Sequence, residues 1–220
     1  MNRAATDAGT LNAVLYVVML AAAVAVARRA IGDTPRPTRA AAAMWLLVAV
    51  PSVVQLVVPG LEPALRRDPE LIIRHGQVWR LLTGLVVQDG GAAGLVFNLV
   101  VLALVAILAA TFWGPRRVWV LFLVGHLVVT LLVLGTFRTV GAGSSFATFA
   151  LATSMVGASL AKRRLRQQPV PALALVCGAA AMWLLVLGDP HGLAVLTGLA
   201  LGSLSHRQAR VGRSAQRVAF

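Results

Sequence analysis

The residues in this chain that are best suited to chemistry are a serine and a histidine, each near the start of a separate apolar run. Ser145 lies in the small-residue stretch 141–149, and His191 opens the last apolar run of the chain. A serine hydroxyl becomes an effective nucleophile when a base takes its proton, and a neutral imidazole does this near pH 7. The two residue types therefore indicate hydrolysis or acyl transfer, if the fold brings the side chains together.

Other kinds of catalysis lack the residues that they need. The chain has no HExxH or similar metal-ligand spacing and no glycine-rich phosphate loop, so neither a metal nor a cofactor is predicted. Its seven acidic residues all fall in loops or at the ends of apolar runs: Asp7, Asp33, Glu62, Asp68, Glu70, Asp89 and Asp189. No aspartate pair is therefore expected inside a membrane, which argues against an aspartyl protease. With no buried acid expected, the sequence predicts a Ser–His dyad that lacks the acidic member found in many soluble hydrolases.

These residues are carried by a chain with the composition of a membrane protein. Of its 220 residues, 59% are hydrophobic and 12% are charged, about half the charged fraction of a typical soluble domain. The apolar runs of about 16–21 residues are close to the length that crosses about 30 Å of hydrocarbon. Only helices or closed barrels satisfy the backbone in lipid, and the runs are too uniformly apolar for barrel strands. Seven helical spans are predicted, at about 11–28, 41–58, 92–112, 118–136, 143–161, 169–187 and 190–205.

The distribution of positive charge predicts how these spans cross the membrane. The net charge of +13 does not indicate a nucleic-acid partner, because the basic residues sit in short connections between apolar runs. One set of alternate connections, with the C-terminal tail, holds 14 Lys and Arg residues, and the opposite set holds 6. The positive-inside rule places the richer set in the cytoplasm, so we expect the N-terminus outside and the C-terminus inside. The positive charge of the first span follows its apolar run, which argues against a cleaved signal peptide.

This topology predicts that three polar residues share one layer near the outer face of the membrane. The fifth and seventh spans both run inward, so Ser145 and His191 lie near their outer ends. Asn98 lies about two turns into the third span, counted from the same side. Polar groups at this depth are costly unless they meet one another or water. The three side chains are therefore candidates for one shared site.

The other histidines and the neighbouring serine fit structural roles better. On a helix, Ser144 points about 100° away from Ser145. We expect His75 and His206 in solvated segments, the first in a long loop and the second in the tail. His126 falls within a span, below the outer layer, where a packing role is favoured.

In their order and spacing, these residues resemble the rhomboid family of intramembrane serine proteases, as a divergent bacterial member. The family carries Gly-x-Ser-Gly at the outer end of its fourth core helix, and Gly143 and Ser145 match the first Gly and the Ser. The aromatic residue four positions later, which supports the histidine ring in the family, is Phe149 here. The last core helix of the family opens near its catalytic histidine and has a glycine seven residues on, as at His191 and Gly198.

A further part of the family pattern is a Trp-Arg pair in the first outer loop, followed by an asparagine in the second core helix. The pair lies at 79–80 here and the asparagine is Asn98. By this resemblance, Ser145 is the nucleophile and His191 the general base. Asn98 and the backbone N–H of Ser145 are implied to stabilise the oxyanion.

Three positions depart from the family pattern. The family histidine four residues before the asparagine is Gly94 here, and an earlier histidine aligns with Gln88. The glycine after the nucleophile is Phe146, which is expected to crowd the site. Loss of one oxyanion donor at Gly94 is expected to slow an enzyme by about 10²–10³ without abolishing its chemistry.

The resemblance covers about residues 41–205 and implies a rhomboid-like six-helix transmembrane bundle. Residues 1–40 would add an N-terminal transmembrane helix and a basic cytoplasmic loop, and residues 206–220 a basic cytoplasmic tail. The implied activity is that of a serine endopeptidase, and its implied substrates are single-span transmembrane proteins. The implied location is the lipid bilayer of a bacterial plasma membrane. Water is expected to enter beneath loop 59–91 or loop 137–142.

Two alternatives stay open. The departures at Gly94, Gln88 and Phe146 favour a catalytically inactive rhomboid-like protein that binds transmembrane helices. The other is a small polytopic carrier with no relation to the rhomboids. No buried acid or basic helix marks an ion path in the sequence, which weakens this second alternative.

Overall fold

The structure is a computed structural model that describes residues 2–161 and 169–218, with side chains for 9–161 and 169–205. Among these residues, ten helices follow one another along the chain: α1 (Asn2–Ile31), α2 (Arg39–Val54), α3 (Leu61–Leu65), α4 (Pro69–His75), α5 (Arg80–Thr83), α6 (Gly91–Trp113), α7 (Pro115–Thr136), α8 (Ser145–Leu160), α9 (Val170–Val186) and α10 (His191–Val218). The described residues form no strand, and their one β-bridge joins Arg67 to Gly141. The predicted all-α class is confirmed.

Each of the seven predicted spans coincides with one of the longer helices. Of the described helices, three are long and apolar enough to cross a membrane. They are the segment Gly9–Ile31 of α1, the whole of α6, and the whole of α7. The helices α2, α8 and α9 and the segment His191–Ser205 are apolar but shorter. Large apolar side chains also stay exposed along α2, α6, α7 and α9, a surface that suits lipid better than water. The fold supports a membrane-embedded protein.

Some of the basic residues on which the predicted topology depends lie outside the residues that the structure describes. The basic connection with Lys162, Arg163, Arg164 and Arg166 lies outside the described residues. The side chains of the basic tail 206–220 lie outside them as well, although the α10 backbone continues to Val218. The predicted orientation therefore stays a prediction.

The centre of the bundle is α8, which begins at Ser145. Every residue of α8 from 146 to 159 is buried, because α1, α6, α7, α9 and α10 all pack against it. A helix that is apolar on all sides has no preferred face for solvent, and this one is enclosed by its neighbours. The first turn of α8 is consequently held in position from several sides.

Glycines bring α10 unusually close to α8. A Cβ on Gly198 would overlap the side chain of Thr153 and the carbonyl of Ala150, and one on Gly202 would overlap the carbonyl of Ser154. Small residues at helix interfaces in membranes allow backbones this near approach. Gly198, the glycine seven residues after His191, therefore lies in this close interface, which fixes the start of α10 against the start of α8.

The long connection between α2 and α6 folds over the start of α8. It contains the three short helices α3, α4 and α5. Arg80, which is buried, ties the connection together by donating to the carbonyls of Pro63 and Arg66 and to Gln77 Oε1. A backbone pair between Arg67 and Gly141 then joins this connection to the segment before Ser145.

Candidate active site

The structure brings the predicted serine and histidine into direct contact. Ser145 is the first residue of α8 and His191 the first of α10, and the interface between these two helices places both starts at one level. The Ser145 Oγ lies 2.9 Å from Nε2 of His191, within the range expected for a nucleophile and its base. This contact joins residues 46 positions apart in the chain.

An acidic side chain completes the arrangement, so the expectation that no acid is available was wrong. Asp189 is only 8% exposed, and its Oδ1 lies 2.7 Å from Nδ1 of His191 and accepts from the His191 backbone N–H at 2.9 Å. Gly188 has a positive φ of 76°, which turns the short α9–α10 connection so that Asp189 faces inward. The order Asp–His–Ser is that of the catalytic triad in serine hydrolases.

The hydrogen bonds of Asp189 decide its charge and the tautomer of His191. Burial raises the pKa of the Asp189 carboxyl, but hydrogen bonds and charge from His191, and a hydrogen bond from Tyr16, outweigh that effect and hold the pKa below its ordinary value. The carboxylate is therefore ionised near neutral pH and accepts a hydrogen bond from the Nδ1–H of His191. With Nδ1 protonated, Nε2 of His191 is free to accept the Ser145 proton.

The N-terminal helix α1 holds this carboxylate from the other side. The Tyr16 hydroxyl donates a short hydrogen bond to Asp189 Oδ2, and Asn12 Nδ2 donates to the same oxygen at 2.9 Å. The Tyr16 oxygen is also 2.9 Å from Nδ1 of His191. The resemblance implied that α1 is an addition to a separate core, whereas its Asn12 and Tyr16 side chains contact the Asp189 and His191 pair.

Three aromatic rings enclose the imidazole of His191. The Phe149 ring stands edge-on to it at 5.6 Å between centroids, as the family resemblance implied. Phe146 packs edge-on at 4.9 Å, and Tyr16 lies at 4.9 Å. Phe146 was expected to crowd the site, but its ring instead forms one wall beside the imidazole. This packing restricts rotation of the ring and keeps Nε2 directed at Ser145.

The predicted oxyanion residue, Asn98, lies near Ser145, next to Gly143. A Cβ added to Gly143 would stand 3.6 Å from Asn98 Nδ2 and 3.7 Å from Ser145 Oγ. Gly143, at φ 136°, therefore leaves open the space between these two groups. Asn98 Nδ2 donates to Gln88 Oε1 at 2.7 Å, so one of its two N–H groups is already used and one is left for a substrate oxygen.

The position that carries a histidine in the family pattern is half-buried here. A Cβ on Gly94 would meet one close neighbour, the carbonyl oxygen of Asp89 at 3.1 Å. The buried Gln88 lies beside Gly143 and donates to Ser52 Oγ at 3.2 Å. With no side chain at Gly94, the backbone N–H of Ser145, in the first turn of α8, is the further candidate donor beside Asn98.

A cavity of about 230 Å³ opens on Ser145 and His191. Its walls come from the α2–α6 connection and from the segment before α8, the two loops expected to cover the site: Arg67, Arg80, Gly84, Asp89, Thr139, Val140, Gly141, Ala142 and Gly143. His126 also lines this cavity. It is buried, as a packing role requires, but it lies nearer to the site than the sequence indicated.

Sequence reasoning missed four side chains that the structure adds to the site, namely Asp189, Tyr16, Asn12 and Arg67. One signal was present for Asp189, since an acid shortly before a helix start is a common cap for the first backbone N–H groups. The other three had no local signal, because their contacts join residues far apart in the chain.

A comparison with models of known protein families and a comparison with curated proteins both found no match.

Proposed function

We propose that this protein is a rhomboid-like intramembrane serine protease that works through Ser145, His191 and Asp189. The observation that carries the proposal is the 2.9 Å contact between Ser145 Oγ and His191 Nε2, with Asp189 on the far side of the imidazole. In this proposal α2 and α6–α10 form the six-helix core and α1 is an additional helix. The N-terminus faces out and the C-terminus lies in the cytoplasm of a bacterial cell.

The reaction follows from the roles of the three side chains. Ser145 Oγ attacks the peptide carbonyl carbon while Nε2 of His191 takes the hydroxyl proton, and Asp189 stabilises the imidazolium. The oxyanion is held by Asn98 and the backbone N–H of Ser145. The C–N bond then breaks, and Nε2 returns the proton to the leaving amine. Water repeats the sequence on the acyl-enzyme, releasing the acid and regenerating Ser145.

The proposed substrates are single-span transmembrane proteins cut near their outer ends. A helical backbone keeps its carbonyls in internal hydrogen bonds, so a substrate has to unwind before Ser145 can reach one. The cavity of about 230 Å³ is smaller than a site for a drug-sized ligand, at about 300–1,000 Å³. It suits a short extended segment better than an intact helix.

A second candidate function is a binding protein without activity. The observations that favour it are the lack of a side chain at Gly94 and the use of one Asn98 N–H by Gln88, which leave few donors for an oxyanion. Such a protein would use the same bundle to hold transmembrane helices without cutting them. The ordered Asp–His–Ser chain is the reason why we favour the enzyme.

The test is covalent labelling of the purified full-length protein in detergent with a fluorophosphonate. We expect labelling at Ser145, and loss of labelling in Ser145→Ala and His191→Ala, because both the nucleophile and its base are needed. Ser144→Ala is the matched control for the serine, since Ser144 is the adjacent residue and its buried Oγ has no hydrogen-bond partner. His75→Ala, on the exposed end of α4, is the control for the histidine.

The outcomes separate the two candidates. A folded wild type that resists labelling, yet binds a defined single-span peptide in liposomes without cutting it, would support the binding protein. Equal labelling of the wild type and Ser145→Ala would exclude Ser145 as the nucleophile.

A further inference from the structure

The cavity beside Ser145 contains a positive charge that the proposed hydrolysis does not use. Arg67 is only 7% exposed and lines the same cavity as Ser145 and His191. Its Nε donates to the carbonyl of Thr139 at 3.1 Å, and its Nη2 donates to Thr139 Oγ1 at 3.2 Å. The guanidinium is therefore fixed in one position at the cavity wall.

The Phe146 ring connects this guanidinium to the reacting groups. Arg67 Cζ stands 5.2 Å from the centroid of the Phe146 ring, a cation–π arrangement. The same ring lies edge-on to His191 at 4.9 Å, and Phe146 directly follows Ser145 in the chain. The cation is thus separated from the reacting pair by the thickness of one side chain.

Arg67 forms no close ion pair among the described residues, although Asp89 lines the same cavity. Within the part of the chain that the structure describes, no carboxylate oxygen comes within 4.0 Å of its guanidinium. Asp89 is the acid whose charge acts on Arg67. Its side chain is exposed, and its Oδ2 accepts a hydrogen bond from the Ala142 backbone N–H at 2.8 Å. Burial lowers the pKa of Arg67 while Asp89 raises it, and an arginine remains charged under these conditions.

A buried cation that has no carboxylate within ion-pair distance among the described residues favours a ligand that supplies a negative charge. The guanidinium has five N–H donors, of which two are used by Thr139. Arginine pairs well with planar carboxylates, to which it offers two parallel donors. A peptide substrate can bring a carboxylate in two ways, on an acidic side chain or at its free C-terminus.

We propose that Arg67 binds a carboxylate of the substrate next to the bond that Ser145 attacks, so that the enzyme selects segments carrying a negative charge at the cut site. This inference rests on the proposed hydrolase function. Phe146 contacts both groups, since its ring packs against the Arg67 guanidinium and against the His191 imidazole.

The test compares three peptidyl fluorophosphonates of equal length on the full-length protein in neutral detergent. One probe is uncharged, one carries an internal glutamate and an amidated end, and one carries a free terminal carboxylate. We expect one of the charged probes to label Ser145 at least about tenfold faster than the uncharged probe, the effect of a charge-assisted hydrogen bond. The faster of the two identifies which kind of carboxylate is recognised.

Arg67→Gln should remove this preference, measured within the variant as the ratio of the charged-probe rate to the uncharged-probe rate, so that a change in its absolute rate does not affect the comparison. Arg66→Gln is the matched control, because Arg66 is the adjacent residue and pairs with Glu62 on the exposed side; it should keep the preference. If Arg67→Gln does not fold, Arg67→Lys replaces it and should reduce the preference, since the planar donor pair is lost.

Equal rates for all three probes in the wild type would overturn the inference and leave the hydrolase proposal intact. A preference that survives in Arg67→Gln would also overturn it. Slower labelling by every probe when anionic phospholipid is added, relieved by Arg67→Gln, would assign Arg67 to a lipid phosphate instead. Failure of even the uncharged probe to label would refute the hydrolase itself.

Discussion

The two sides of Ser145 are built very differently. On the His191 side, Asp189 receives hydrogen bonds from Tyr16, Asn12 and His191, and aromatic rings surround the imidazole. On the Asn98 side, a single amide faces the open space next to Gly143, and part of its donor capacity goes to Gln88. Proton transfer is therefore strongly supported, whereas stabilisation of the oxyanion depends on few groups.

The two parts of the proposed site therefore depend on separate sets of contacts. Rhomboids, which this sequence resembles, use a Ser–His dyad, and here the resemblance is kept at Ser145 and His191 but broken at Gly94 and Gln88. The His191 side gains an acid and support from α1. Better orientation of the base is a physical means of offsetting a weaker oxyanion site, because both lower the same transition-state barrier.

The largest expected effect comes from the acid on the His191 side. Asp189→Asn should lower the rate of Ser145 labelling on the order of 10³–10⁴-fold, because an amide cannot stabilise the imidazolium or fix the tautomer in the same way. The rate constant for fluorophosphonate labelling measures this. Asp33→Asn, in the exposed turn after α1, is the control and should have no effect. A fall in the labelling rate of less than tenfold would show that Ser145 and His191 act as a dyad without Asp189.

The pH dependence of stability gives a second measurement on the same variant. Because the pKa of Asp189 lies below its ordinary value, its ionised form stabilises the fold above the unfolded pKa of about 3.9. That contribution is lost only as the pH falls through the lower folded value. The difference in unfolding free energy between wild type and Asp189→Asn should therefore shrink as the pH is lowered from 5 through this folded value.

An intermediate effect is expected on the Asn98 side. Asn98→Ala should lower the labelling rate by about 10²-fold, the lower part of the range for an oxyanion donor, because the backbone N–H of Ser145 remains. The thermal unfolding midpoint should be followed in parallel, since Gln88 also loses a partner. An unchanged rate would mean that the oxyanion lies elsewhere, and the contrast between the two sides would disappear.

The smallest effect is expected from α1. Tyr16→Phe keeps the ring packing on His191 and removes only the hydroxyl, so the rate should fall by about tenfold, as for one hydrogen bond to a charged group. In the Asp189→Asn background the same change should have little further effect, because residues that act through one another are not additive. Equal effects in both backgrounds would show that Tyr16 does not act through Asp189.

The sequence by itself determined the helices and the spacing of residues along them. Apolar runs of membrane length predict helices because lipid leaves the backbone no other partners. The i, i+4 spacing likewise put Phe149 on the face of Ser145. These inferences depend on local periodicity alone, whereas the depth of Ser145, His191 and Asn98 near the outer face also depends on the distribution of charge and stays a prediction.

Only the tertiary structure decided which side chains complete the site. Asp189 reads in the sequence as one more loop acid, and it becomes a partner of His191 because a four-residue turn directs it inward. Tyr16 and Asp189 are 173 residues apart, and their hydrogen bond exists because α1 packs against α8 and α9. Rotation of one helix against another depends on packing among distant residues, and no local pattern encodes it.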